Sequence, residues 1–246
     1  MDGISFIIPN RGGKDLDKVI SNIKRVYSKI NKEILIIEQD DERPFMRGEL
    51  FNIGVKFSSF NYLALSDNDI WHLRELPLFE LYDSLEQPIV CFTYISQLEY
   101  SNGNVKILKT EKRPYGFGAF TFLSKEDFID VNGFSNLYVG WGCEDIDFIE
   151  RFNGKFTRLP QNLGHLQHPK RENKNPLNTA LNREFYFDKK KHPRDILKDG
   201  IKQTTFNLVS EKFITDDVKC IKVNNISVCN DFAYDALLEK HFSYKK

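Results

Sequence analysis

Apolar and polar positions along the chain alternate between two rhythms. Residues 4–8 (Ile-Ser-Phe-Ile-Ile) form a short apolar, β-rich run that predicts a strand. Leu16, Val19, Ile20, Ile23, Val26, Tyr27 and Ile30 then recur at the spacing of one helix face. Asp15 stands where an N-cap is expected. A second buried strand is predicted over 33–37, a helix over 46–58, and a third strand over 62–66 that ends directly in Asp67-Asn68-Asp69. Further strands are predicted at 89–94 and 117–123. Strands separated by helices imply an α/β fold, with a mostly parallel central sheet covered by helices on both faces. In such sheets ligands gather at the carboxyl ends of strands. Asn10-Arg11-Gly12-Gly13 and Asp67-Asn68-Asp69 both stand at such ends.

The second half is less regular. Residues 168–202 carry ten Lys/Arg against five Asp/Glu and read as a solvated surface. A contact with an anionic acceptor or a membrane surface is the alternative. Beyond Gly200 the pattern is β-like again, at 204–209, 218–223 and 226–229, with Asn224-Asn225 as a tight turn between the last two. Without a repeat or low-complexity linker, residues 1–246 are expected to form a single domain.

Composition narrows the class. At 246 residues, 41% apolar and 28% charged, the chain can bury a substantial core and is not disordered. Lys+Arg and Asp+Glu both number 35, so global charge gives no reason to expect nucleic acid. No apolar run reaches the roughly 20 residues of a membrane-spanning helix, and the first eleven residues do not read as a signal peptide. A cytoplasmic or membrane-peripheral protein is expected. Cys91, Cys143, Cys220 and Cys229 form no CxxC pair. Free thiols are therefore expected, with a Cys220–Cys229 bridge as the alternative.

Three places carry candidate chemistry. Residues 140–148 place Glu144, Asp145 and Asp147 just after Trp141, two glycines and Cys143. A helix start explains one acid there better than three, and a carboxylate at a helix start is expected to keep a low pKa. One of these acids can serve as a base, and the indole can stack on a sugar ring; the competing reading of Trp141 is a core residue. Asp67 and Asp69 can place one carboxylate on Mg²⁺ or Mn²⁺ and the other on a ligand hydroxyl, although Asp-Asn-Asp is also an ordinary turn composition. His165 and His168, three residues apart, can complete a metal site or be surface histidines.

Taken in order, these segments resemble the β-1,4-galactosyltransferase family (glycosyltransferase family 7). Ile8-Pro9-Asn10-Arg11 is similar to its early uridine-contacting segment. The run Phe45-Met46-Arg47-Gly48-Glu49-Leu50-Phe51-Asn52-Ile53-Gly54 resembles FNRAxLLNVG, and Ser66-Asp67-Asn68-Asp69 resembles SDVD. Residues 115–133 are similar to YFGGVSALTKEQFxxINGF, residues 140–148 to WGGEDDD, and residues 165–176 to the segment supplying the last metal ligands. The resemblance extends through Asp199-Gly200 and covers nearly the whole chain.

It implies a GT-A fold and an inverting transfer of galactose or N-acetylgalactosamine from a UDP-sugar to a hydroxyl of a glycan or lipid-linked glycan. The implied cofactor is Mn²⁺ or Mg²⁺, held by Asp69, His165 and His168. Asp145 matches the catalytic base, Glu144 and Trp141 the acceptor site. Pro9, Asn10, Arg11, Arg47, Asp67, Tyr115 and Gly118 match the donor site. Asp147 is left to the helix start. The departures are Cys143 for a glycine, Ile146 for an acid, His165 where some relatives have methionine, and Gly116-Phe117-Gly118 for FGG. The anchor and stem of animal members are not seen, which points to a soluble bacterial or viral relative. A hexosaminyltransferase of capsule synthesis, a nucleotide-sugar hydrolase and a non-catalytic carbohydrate-binding protein are the alternatives. Nothing in the sequence fixes an oligomeric state.

Overall fold

The first strand, β1 (Ile4–Asn10), is buried along its whole length and is the axis of the molecule. Its side chains alternate between the two faces of the sheet. Ile4, Phe6 and Ile8 join one apolar cluster with Val19 and Ile23 of α1 (Leu16–Val26). Ile7 joins the other with Leu50, Phe51 and Ile53 of α2 (Arg47–Phe57). One strand therefore holds helices on both faces, as its unbroken apolar run implies. The computed structural model describes residues 3–85, 87–112, 118–167, 176–191 and 196–226.

Beyond β2 (Lys32–Gln39) and β3 (Tyr62–Ser66), the chain forms β4 (Ile70–Trp71), α3 (Leu78–Leu85), the hairpin β5 (Ile89–Ser101)–β6 (Asn104–Lys112), β7 (Phe120–Ser124) and α4 (Lys125–Asp130). It continues through α5 (Glu144–Glu150), β8 (Thr157–Leu166), α6 (Pro176–Lys191), β9 (Asn207–Thr215) and β10 (Val218–Asn224). The sheet order is β4-β8-β5-β7-β3-β1-β2-β10-β9, with β6 attached to β5. Its centre, β3-β1-β2-β10, is parallel. Towards the flanks antiparallel pairs take over, except that β5 and β8 are parallel.

Several elements differ from expectation. The strand expected at 89–94 continues to Ser101 and turns at Asn102-Gly103, both at positive φ, into β6. An Asn-Gly between β-prone runs is the signal that would have found it. The strand expected at 117–123 is Phe120–Ser124. The hairpin at the C-terminal side turns at Asp216-Asp217, between β9 and β10; the strand expected at 226–229, with Cys229, lies mostly outside the described residues. Cys220 is a free thiol. The basic stretch expected to be plain surface contains α6, which buries Leu181, Phe185 and Tyr186, the last two against Tyr138. Asp15 occupies the N-cap position of α1, but its carboxylate takes Lys18 at 2.6 Å and caps nothing. Among the described residues no helix is long and apolar enough to cross a membrane.

Candidate active site

The carboxyl ends of β1 and β3 meet the first turns of α2 and α5. At the end of β1, Asn10 is buried and fully engaged. Its amide donates to Glu38 at 2.7 Å, and its oxygen accepts from Gly13 N at 3.1 Å and from Asn68 Nδ2 at 2.8 Å. Asn10 thus ties the loop after β1 to the Asp67-Asn68-Asp69 turn. Pro9 is buried within β1. Arg11 is exposed, donates to the Arg43 carbonyl and lies 5.8 Å from the Phe45 ring.

Arg47, the first residue of α2, is the hub. Its Nε is 2.6 Å from Asp67, its Nη1 3.5 Å from Glu144, and its Nη2 donates to the Gly118 carbonyl. The guanidinium lies 4.8 Å from the Phe51 ring one turn on. Arg47, Gly118 and Asp145 line one small cavity. A Cβ on Gly118 would stand 2.8 Å from Asp145 Oδ2, so the glycine lets the backbone close on that carboxylate.

Electrostatics follows from this crowding. Burial pushes Glu144 up to about 7, the negative charge of Asp145 adds to the push, and Arg47 pulls it back. The low value expected at a helix start is therefore wrong for Glu144: desolvation outweighs the helix dipole. Burial raises Asp67 too, against the pull of Arg47 and with help from Asp69. Its side chain keeps 32% exposure, so solvent screens part of that rise. The same acids hold the Arg47 proton more firmly.

Beside this hub, β4 and β8 bring Asp69 to His165. The Leu166 amide donates to the Asp69 carbonyl at 2.9 Å, and His165 Nε2 lies 3.5 Å from Asp69 Oδ2. A carboxylate and an imidazole suit a borderline divalent ion such as Mn²⁺. Among the described residues no cluster of three His, Cys, Asp or Glu side chains surrounds one point; His168, the third expected ligand, and Tyr115 of the donor set lie outside the described residues. The loop carrying Asp69 is held from behind by Asn22, whose amide pairs with both His72 N (2.8 Å) and His72 O (3.1 Å).

Trp141 is 55% exposed, which excludes the core reading. It lies in a loop whose Gly140, Gly142 and Cys143 all have positive φ. Val139, two residues earlier, is clamped by both polar atoms of the Asn182 amide. Asp147 proves structural: it is buried, accepts from Tyr138 at 3.1 Å and pairs with Arg151 at 3.0 Å.

A family model described as the N-terminal domain of galactosyltransferase matches residues 108–172. Rat β-1,4-galactosyltransferase 4 is 31% identical over 171 residues, 65% of this chain and 46% of that protein. Bovine β-1,4-galactosyltransferase 1 is 28% identical over 184 residues, 70% and 41%. Drosophila melanogaster β-1,4-galactosyltransferase 7 is 29% identical over 134 residues, 53% and 38%. The catalytic domain of the Drosophila enzyme, solved with xylobiose, superposes with a TM-score of 0.70 at 21% identity, over 96% of this chain and 98% of that one. The chain is similar to the β-1,4-galactosyltransferases in sequence and in fold. A mutant of that enzyme, solved with manganese, UDP-Gal and xylobiose, superposes at 0.64 and 20% identity, again over 96% and 98%. The fold is thus the GT-A fold of a galactosyltransferase catalytic domain. The chain spans less than half the length of these curated relatives.

Within the galactosyltransferase frame Cys143 gains a physical account. At φ 71° it occupies left-handed backbone that suits the glycine of the family pattern. A side chain there costs about 1–2 kcal/mol, offset by packing against the Tyr138, Phe185 and Tyr186 cluster. Sequence reasoning missed Gln97, which contacts His165 at 3.2 Å, because no motif marks it.

Proposed function

We propose that the protein is an inverting, metal-dependent glycosyltransferase that moves galactose or N-acetylgalactosamine from a UDP-sugar to a hydroxyl of a glycan acceptor. The observation that carries this reading is the shared cavity of Asp145, Gly118 and Arg47, with Asp67 and Glu144 on the same guanidinium. The family's galactosyltransferases and the relative solved with manganese, UDP-Gal and xylobiose support it.

In the proposed reaction Asp145 takes the proton of the acceptor hydroxyl as that oxygen attacks the anomeric carbon from the face opposite the leaving UDP. An α-linked donor then yields a β-linkage. Arg47 orients Asp67 towards the donor and keeps Asp67 and Glu144 from repelling each other. Glu144, whose proton burial and the Asp145 charge hold more firmly than in an ordinary carboxyl, can donate to or accept from acceptor hydroxyls. Trp141 offers a ring face for sugar stacking. Asp69 and His165, with His168, would hold Mn²⁺, which supplies neutralisation of the diphosphate's charge.

The test is transfer from a panel of UDP-sugars, scored for product and for UDP release with and without acceptor. Asp145→Asn is expected to lower turnover by about 10²–10⁴-fold; near-wild-type turnover would sink the base assignment. EDTA is expected to abolish transfer, and Asp69→Ala to prevent rescue by Mn²⁺. Transfer persisting in metal-free buffer removes the metal. UDP release that ignores the acceptor makes the protein a hydrolase, and glycan binding without UDP release makes it a binding module.

A further inference from the structure

The sheet gives His165 a neighbour on each ring nitrogen. β5 and β8 run parallel with Gln97 in register with His165, while β4 pairs antiparallel with Ile70 opposite the same residue. Gln97 Oε1 therefore lies 3.2 Å from Nδ1, and Asp69 Oδ2 lies 3.5 Å from Nε2. An amide oxygen only accepts, so the hydrogen of this contact belongs to Nδ1. In the neutral ring Nε2 then presents a lone pair to a carboxylate oxygen. Two acceptors facing each other are reconciled by a second ring proton or by a metal cation between them, and the contact distance favours the metal. Their separation exceeds the roughly 2.7–2.9 Å of a charge-assisted hydrogen bond. The β5–β6 ladder shifts register between Gln97 and Leu98, the kind of irregularity that re-aims a side chain beside a site.

We propose that Gln97 is a positioning residue that holds His165 as the Nδ1–H tautomer, turning Nε2 towards a divalent cation shared with Asp69. This rests on the metal-dependent reading above. Partners on the far nitrogen of a ligand histidine fix ring orientation and raise ligand basicity.

Two measurements on the metal-free protein test it. Long-range ¹H–¹⁵N correlation of the His165 ring is expected to show Nδ1–H in the wild type and loss of that preference in Gln97→Leu. Calorimetric titration with Mn²⁺ is expected to show affinity weakened roughly 10–100-fold in Gln97→Leu and retained in Gln97→Glu, whose carboxylate accepts the same hydrogen. An Nε2–H tautomer in the wild type overturns the proposal, as does a Gln97→Glu as weak as Gln97→Leu. If Gln97→Leu binds Mn²⁺ like the wild type while His165→Ala does not, Gln97 has no such role and the metal reading stands. If His165→Ala also binds like the wild type, His165 is not a ligand and the proposal falls, while Mn²⁺ binding itself stands.

Discussion

Glu49 is a carboxyl group with no exposed surface, and among the described residues neither of its oxygens has a hydrogen-bond partner. In the sequence it reads as an ordinary acid in the first turn of a helix, because nothing local shows that α2 is covered on every side there. Burial drives its pKa well above the ordinary 4.5; the charges of Asp199 and Glu144 add to the rise, and Arg43 opposes it. The folded state therefore holds this proton more tightly than the unfolded chain. That contribution to stability is complete below the unfolded value and is lost as pH rises towards the folded one. Replacing Glu49 by Leu is expected to stabilise the fold at pH 8 by on the order of 1–3 kcal/mol, seen as a higher melting temperature. The gain should shrink towards pH 4. Thermal melts across that range check it, and a gain that grows on acidification contradicts the account. The sequence singled out Arg47, Asp69 and Asp145 through their motifs; Glu49 stands in the same run as Arg47, at the position the FNRAxLLNVG pattern leaves open, so nothing marks it.

At the scale of elements, α5 divides its acids by face. Glu144 and Asp145 turn towards Arg47 and Gly118, while Asp147 turns inward to Arg151 one turn later. Asp147 and Arg151 side chains are each only 2% exposed. Arg151 also donates to the carbonyls of Gly133 and Asp199, both at 2.9 Å. Asp199 in turn accepts from Ser135 and from Asn136 N, joining α5 to the loop before it. Asp147→Ala removes the nearer counter-charge of a buried guanidinium, leaving Asp199 at 3.4 Å, and is expected to cost about 3 kcal/mol. Urea denaturation measures that loss, and the variant's folded fraction should keep its turnover. A loss of turnover at unchanged stability would place Asp147 in the chemistry instead. The family resemblance set Asp147 apart from Glu144 and Asp145 and left it to the helix start; its pairing with Arg151 was not readable, because that partner becomes decisive only once both are buried. The strand–helix alternation of the first half was readable from apolar spacing. The β6 half of the hairpin was not, because its Ile107 and Leu108 are exposed and mark no core face.

On the scale of the whole molecule, the sheet has a parallel centre and closes one flank with β9. Every residue of β9 is exposed, including Leu208, Val209, Phe213 and Ile214. Among the described residues its outer edge pairs with nothing. Near its inner side Lys24 pairs with Asp217 and Lys219 with Glu211, and the chain as a whole carries 35 basic and 35 acidic side chains. A protein with no net charge near neutrality has little long-range repulsion between copies. An open, apolar strand edge is where such copies stick. The consequence is colloidal: solutions should turn attractive near pH 7 and disperse as pH moves away from it. Static light scattering is expected to give a second virial coefficient that is lowest near neutrality. Phe213→Lys, which places a charge on the edge without touching the site, should raise it there.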